Sequence, residues 1–271
     1  MNRISGSITG CFAGVACLFV CLLPGLNNAD SSGVETRESG NQCVILLHGL
    51  ARSSGSMEKL AGRLTDAGYV VANIDYPSRK QTVETLAPLA IDQGLAQCHT
   101  ETGDNVVVNV VTHSMGGILV RQYLNNNPAA INGRVVMLAP PNNGSEVVDK
   151  FRDTPGYEWL NGPAGRQLGT GEDSLPRTLG AAEFDVGVIA GTRTINLLLS
   201  QFLPNPDDGK VSVASARLEG MCDFMTVEVS HPFIMRNDKV IREVLYYLSN
   251  GSFKSSSTDN GDLAQAHCTA Q

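Results

Sequence analysis

The run Asn105 to Val111 is the most strongly β-forming stretch in the chain, and it ends almost at once in Thr112-His113-Ser114-Met115-Gly116-Gly117. A valine-rich run with no polar alternation belongs in the middle of a sheet that is covered on both faces. From Gly116 to Leu124 the apolar residues recur at helical spacing, so the chain passes from buried strand to helix at one serine. Such a turn is sharp enough to strain the serine backbone. It needs small residues two positions before and two after, because strand and helix nearly touch there. Gly116 satisfies the second requirement. Thr112 stands at the first, where glycine is usual, so the crowding must be relieved slightly. The competing use of Ser114 is as a plain helix cap.

The same alternation extends along the chain. Val44 to Leu47, Tyr69 to Ile74, Arg134 to Leu138, Val186 to Ala190 and Phe224 to Val229 read as further strands. Met57, Leu60, Ala61 and Leu64 have helical spacing before Gly68, as do the stretches Leu86 to Gln97 and Val240 to Leu248. Strands joined by crossover helices predict an α/β fold with a largely parallel sheet, and the run ending at Ser114 should be central. Residues 141–183, rich in Gly, Pro and Asn, fit no such unit. They are a lid over a site or an irregular surface excursion.

The two ends differ from this middle. From Ile4 to Ala29 there is no charged residue, Arg3 precedes the stretch, and Pro24-Gly25 breaks it. Residues 1–29 therefore read as a signal peptide or an N-terminal membrane anchor, which predicts a secreted or envelope-associated protein. Residues 30–42 read as a mobile linker, 43–249 as one catalytic domain and 250–271 as a mobile tail. Beyond the leader four cysteines remain, Cys43, Cys98, Cys222 and Cys268, which an oxidising compartment could pair in three ways. Buried thiols are the other reading. None has metal-ligand spacing, and no metal is expected.

With 27 acidic against 20 basic residues the formal charge is -7, and no basic run could neutralise a phosphate backbone. Nucleic acid is not expected as a partner. Apolar contact with a membrane surface stays open.

Five histidines narrow the search for a base that could activate Ser114. His48, in His48-Gly49-Leu50, follows the first strand, where a backbone amide could help to hold an oxyanion. His113 belongs to the serine motif, His99 lies near a helix end and His267 in the tail. His231, in the loop after the last strand, is left as the candidate base. An orienting acid should lie in a loop between serine and histidine. Asp208, directly before Gly209, is the first choice; Asp207 is its rival, with Asp185 and Asp223 more distant. The amides of Leu50 and Met115 are the candidate oxyanion donors.

Taken in order, Cys43-Val44-Ile45-Leu46-Leu47-His48-Gly49-Leu50, Thr112 to Gly117, Leu138 to Ser145, Asp208-Gly209 and His231 resemble the α/β-hydrolase superfamily, in particular its lipase-like bacterial esterases. The resemblance implies an α/β-hydrolase fold, a mostly parallel sheet flanked by helices. It also implies a Ser-Asp-His triad, acyl-enzyme chemistry on a small-molecule or lipid ester, and no cofactor. Pro141-Asn142-Asn143 departs from the T-P-H-x-G-S loop of related lipases. The Phe151, Tyr157 and Trp159 cluster points to an acyl groove, with local core packing as the alternative. An acyltransferase using the same triad, and a non-catalytic binding protein on the same fold, are the rival functions.

Overall fold

Six strands form wherever β-branched or aliphatic residues crowd together: β1 (Gln42–Leu47), β2 (Val70–Ile74), β3 (Val107–His113), β4 (Val135–Leu138), β5 (Val186–Gly191) and β6 (Asp223–Val227). The computed structural model describes residues 42–195, 197–255 and 268, so the expected leader and the linker up to residue 41 lie outside the described residues. All five pairings are parallel, in the order β2-β1-β3-β4-β5-β6, which puts β3 inside the sheet. β3 begins and ends two residues later than its propensity suggests. Pairing of Thr112 with Met137 and of His113 with Leu138 carries the ladder up to Ser114.

Side chains alternate between the two faces of the sheet, and each face has its own cover. On β1, Cys43, Ile45 and Leu47 join one apolar cluster while Val44 and Leu46 join the other. The first cluster is closed by α2 (Val83–Thr102) and α3 (Met115–Asn126), through Leu86, Ala90, Ile91, Ile118 and Leu119. The second is closed by α1 (Glu58–Asp66) and α9 (Asp238–Asn250), through Leu60, Leu64, Val240, Ile241 and Val244. Asn237 starts α9 by accepting from the amides of Lys239 and Val240 at 2.9 and 3.2 Å, which satisfies two donors that no helical carbonyl can reach.

Two disulfides form. Cys43–Cys98 ties β1 to α2, and Cys222–Cys268 ties the residue before β6 to the C-terminal segment. Among the described residues no helix is long and apolar enough to cross a membrane.

The 141–183 segment is not wholly irregular. It holds α4 (Glu146–Phe151), α5 (Tyr157–Arg166, broken at Gly162) and α6 (Leu175–Thr178). These helices are too short for their apolar spacing to stand out from the surrounding Gly and Pro, which is why periodicity did not reveal them. Arg121 of α3 anchors the segment, donating at 2.8 Å to each of the carbonyls of Asn142, Pro176 and Gly180. A buried guanidinium with three carbonyl partners resists removal, so the segment is tied to α3 near both of its ends. Two more short helices, α7 (Leu197–Ser200) and α8 (Val213–Ala216), lie between β5 and β6.

Candidate active site

In a parallel sheet the connections at the carboxyl ends of the strands form the crevice where ligands bind. Here that edge also holds the unusual backbone. Ala51 after β1, Ser114 after β3 and Ala139 after β4 are the non-glycine residues with positive φ among those described, at 56°, 55° and 50°. A residue with a Cβ held in this region costs roughly 1–3 kcal/mol, which the surrounding packing must offset. Ser114 (φ 55°, ψ -122°) is held by its amide, which donates to the Leu138 carbonyl at 2.8 Å.

The turn demands close backbone approach on both sides. A Cβ on Gly116 would stand 2.8 Å from the Leu47 carbonyl oxygen, and one on Gly49 would stand 2.8 Å from Nδ1 of His113. Only glycine fits between the end of β1 and the serine turn. Thr112 is accommodated with its side chain buried, and its Oγ1 has no hydrogen-bond partner among the described residues. Thr112→Val keeps the β-branched shape and removes the unpaired hydroxyl. It is expected to stabilise the fold by about 1 kcal/mol and to raise Tm by roughly 2–4 °C in thermal unfolding. A lower Tm would mean that the hydroxyl has a structural partner.

Ser114, Asp208 and His231 converge. His231 stands on the loop after β6, with Nε2 3.0 Å from Ser114 Oγ and Nδ1 2.8 Å from Asp208 Oδ2. A carboxylate only accepts, so Nδ1 carries the hydrogen and Nε2 is left to accept from the serine hydroxyl. Asp208 is fully occupied: its Oδ1 accepts from the amides of Lys210 and Val211 at 3.0 and 2.9 Å. Its own carbonyl accepts from the His231 amide at 3.0 Å. The rival acids are engaged elsewhere. Asp207 accepts from Ser200 Oγ at 2.6 Å and from the Gly209 amide at 2.7 Å. Asp185 meets Arg134 and Tyr247, and Asp223 accepts from the Phe253 amide.

The two remaining candidates are backbone amides. Leu50 lines the cavity above Ser114, and its amide makes no hydrogen bond among the described residues. Met115 opens α3, where the first amides lie beyond the reach of the helical ladder. The loop that presents Leu50 is braced from below. The His48 ring stacks on Tyr76 at 4.1 Å, its Nδ1 lies 2.9 Å from the Gly49 carbonyl, and the Tyr76 hydroxyl donates to the His48 carbonyl. Burial holds the His48 pKa below the ordinary histidine value, so the ring stays neutral and Asp75, 3.5 Å away, is a polar neighbour and not an ion-pair partner.

Sequence reasoning missed a second role for His113. Its Nε2 lies 3.1 Å from the His231 carbonyl and donates to it. Burial above all, and the nearby His231 ring, hold its pKa well below the ordinary value. A neutral buried imidazole thus fixes the backbone that carries the candidate base. Nothing in a single sequence separates this histidine from any other residue of the motif. His99 lies far along α2 near its end, and His267 lies outside the described residues.

Over Ser114 and His231 opens a cavity of about 550 Å³, walled by Val148, Phe151, Tyr157, Trp159, Leu160 and Leu168 among others. The 141–183 segment supplies most of this apolar wall, and the three aromatics singled out in the sequence all face the cavity. Trp159 is 86% exposed at its rim. Among the described residues, no group of three or more His, Cys, Asp and Glu side chains could hold a metal ion.

Comparison with known proteins follows the same lines. A family model described as serine aminopeptidase, S33, matches residues 38–161, just under half of the chain. No curated protein matches the sequence significantly. Among solved structures, the mature form of Bacillus licheniformis lipase BlEst2 superposes with a TM-score of 0.62 at 21% identity, covering 80% of this chain and 96% of that one. Aspergillus fumigatus lipase B gives 0.59 at 20% identity, over 78% of this chain and 53% of its own length. The metagenomic carboxyl esterase MGS0156 gives 0.55 at 19% identity, over 73% and 66%. With its parallel sheet flanked by helices, the chain has the α/β-hydrolase fold and is similar in architecture to these lipases and this esterase.

Proposed function

We propose that this α/β-hydrolase cleaves carboxylic esters through an acyl-enzyme on Ser114. The observation that carries the reading is the unbroken chain Ser114 Oγ, His231 Nε2, His231 Nδ1, Asp208 Oδ2, at 3.0 and 2.8 Å, on the floor of an apolar cavity. In this reading His231 takes the serine proton as Oγ attacks the ester carbonyl. Asp208 holds the ring in the tautomer that can accept and stabilises the imidazolium once formed. The Leu50 and Met115 amides hold the oxyanion, each such donor being worth about 2.7–4 kcal/mol of barrier. The imidazolium then protonates the departing alcohol, and a water activated by the same ring releases the acid.

Lining chemistry favours an ester over a peptide with a free amino terminus. An α-ammonium group needs an acceptor or a carboxylate once it leaves water. No Asp or Glu lines the cavity. The exposed rim at Trp159 leaves the site open to solvent, which favours water over another acyl acceptor. The same exposed apolar rim, with Leu160, suits a substrate held at a lipid surface. Export from the cytoplasm, through the leader read at residues 1–29, fits the two disulfides.

The direct test is covalent labelling. A fluorophosphonate probe should modify the folded protein at Ser114, and short nitrophenyl esters should compete with it. A folded chain that neither labels nor hydrolyses would leave only a binding function.

A further inference from the structure

The surroundings of Ser114 are charged in a sense opposite to the chain as a whole. The protein carries a formal charge of -7, yet the described residues that line the cavity over the serine include Arg52 and Lys210 and no Asp or Glu. Arg52 and Trp159 also wall an adjoining depression of about 410 Å³, where Arg79 and Lys80 stand beside a single acid, Asp75. That acid already accepts from the Ser54 amide at 3.0 Å. None of the four cations makes an ion pair or a side-chain hydrogen bond with another described residue, although Arg63, Arg134, Arg152 and Arg166 elsewhere all do.

A merely solvated basic face would intersperse both signs and point them outward. Here Arg52 and Lys210, though exposed, line the cavity over Ser114, and Arg79 and Lys80 line the depression beside it. Lys210 keeps contact with solvent, yet desolvation in the crowded cavity mouth and the nearby Arg52 lower its pKa from the ordinary lysine value, with Asp208 acting the other way. Asp208 offsets this only in part, because its oxygens are committed to His231 and to the Lys210 and Val211 amides, and an anion entering beside Arg52 and Lys210 relieves their mutual repulsion. Depth divides the cavity by chemistry. The wall formed by Val148, Phe151 and Leu168 can receive an apolar acyl chain, but it offers nothing to a charge, so a charged part of the ligand must stay at the cationic rim.

We infer that Arg52 and Lys210, continued by Arg79 and Lys80, recognise an anionic group on the alcohol side of the substrate, so that the enzyme takes esters of an apolar acid with an alcohol bearing a carboxylate, sulfate or phosphate. This rests on the ester-hydrolase reading above and adds the substrate class. The acyl chain occupies the apolar wall, the carbonyl sits at Ser114, and the leaving alcohol lies toward Arg52, along the path into the second depression. Because the net charge of the chain repels anions at long range, the preference is local and must weaken as salt screens it.

The test uses the full chain and two soluble monomeric esters with the same acyl group, 4-carboxyphenyl butyrate and 4-(methoxycarbonyl)phenyl butyrate. They differ in the charge of the leaving group, and the readout is the ratio of their kcat/KM values, charged over neutral. This ratio should fall about tenfold or more in the R52Q/K210Q double variant, by a smaller factor in R79Q/K80Q, and as ionic strength rises from about 20 to 500 mM. R52K, which keeps the charge, should retain most of the preference. Fluorophosphonate labelling of each variant reports that its site is still assembled. If both esters are cleaved and the ratio stays within about twofold across variants and salt, the anion site is overturned while the hydrolase reading stands. If the ratio responds only when anionic vesicles are added, the cations dock a lipid surface and the substrate assignment is wrong. If the wild type labels with the probe but cleaves neither ester, the assignment of this leaving-group class fails; if it does not label either, the hydrolase reading fails first.

Discussion

Ser114→Ala should lower kcat/KM for short nitrophenyl esters by roughly 10⁴- to 10⁶-fold while leaving the protein folded. The loss is large because the other hydroxyls of the described cavity wall are already engaged: Ser145, Thr154 and Tyr157 donate to the carbonyls of Lys210, Phe151 and Gly165 at 2.8, 2.6 and 3.3 Å. Folding should survive because, among the described residues, the one side-chain hydrogen bond of Ser114 is to His231. Alanine meets the same backbone strain at φ 55° that serine does, and the anchoring amide bond to Leu138 is untouched. Residual turnover above water would report what the Leu50 and Met115 amides and the cavity contribute on their own. Steady-state kinetics with probe labelling decides it. A variant that keeps its rate to within about tenfold would place the nucleophile elsewhere.

Asp208→Asn should cost about 10⁴-fold in kcat with little change in Tm. An asparagine oxygen can still accept from the Lys210 and Val211 amides, so the loop keeps its shape. The amide nitrogen then faces His231 Nδ1 and can only donate to it, which forces the hydrogen onto Nε2. The ring can no longer accept the serine proton, although every heavy atom keeps its place. Asp207→Asn supplies the contrast. That residue ties Ser200 and the Gly209 amide, so its loss should appear mainly in thermal stability. If Asp207→Asn proved the more damaging to kcat, the acid would have been assigned to the wrong member of the pair.

These two neighbours show where sequence reasoning runs out. Order along the chain and the turn at Gly209 put Asp208 first and Asp207 as its rival, ahead of Asp185 and Asp223. The choice within the pair depends on which carboxylate faces the loop after β6, and adjacent residues of a turn point in different directions for reasons of local backbone geometry. The cysteines pose the same problem: an even count allowed three pairings, and the packing of α2 against β1 brings Cys43 to Cys98. Residues 141–183 were opaque for a different reason. Their helices are short and interrupted by Gly162 and Pro163, so no period builds up, and the aromatics could equally have been core. Arg52, the Arg79-Lys80 pair and Lys210 stand apart along the chain, and only the fold sets Arg52 and Lys210 on the cavity and Arg79 and Lys80 on the depression beside it.

The amino-acid sequence alone determined the parallel α/β layout, the central strand running into Ser114 and the histidine set aside by elimination. Each is written in a stretch short enough for periodicity, turn chemistry or composition to act locally. The tertiary structure alone decided which carboxylate meets His231, what His113 supports, which cysteines join and what walls the cavity. Those contacts link residues 23 to 118 positions apart, and their distances depend on how crossover helices pack on both faces of the sheet, which no local pattern records.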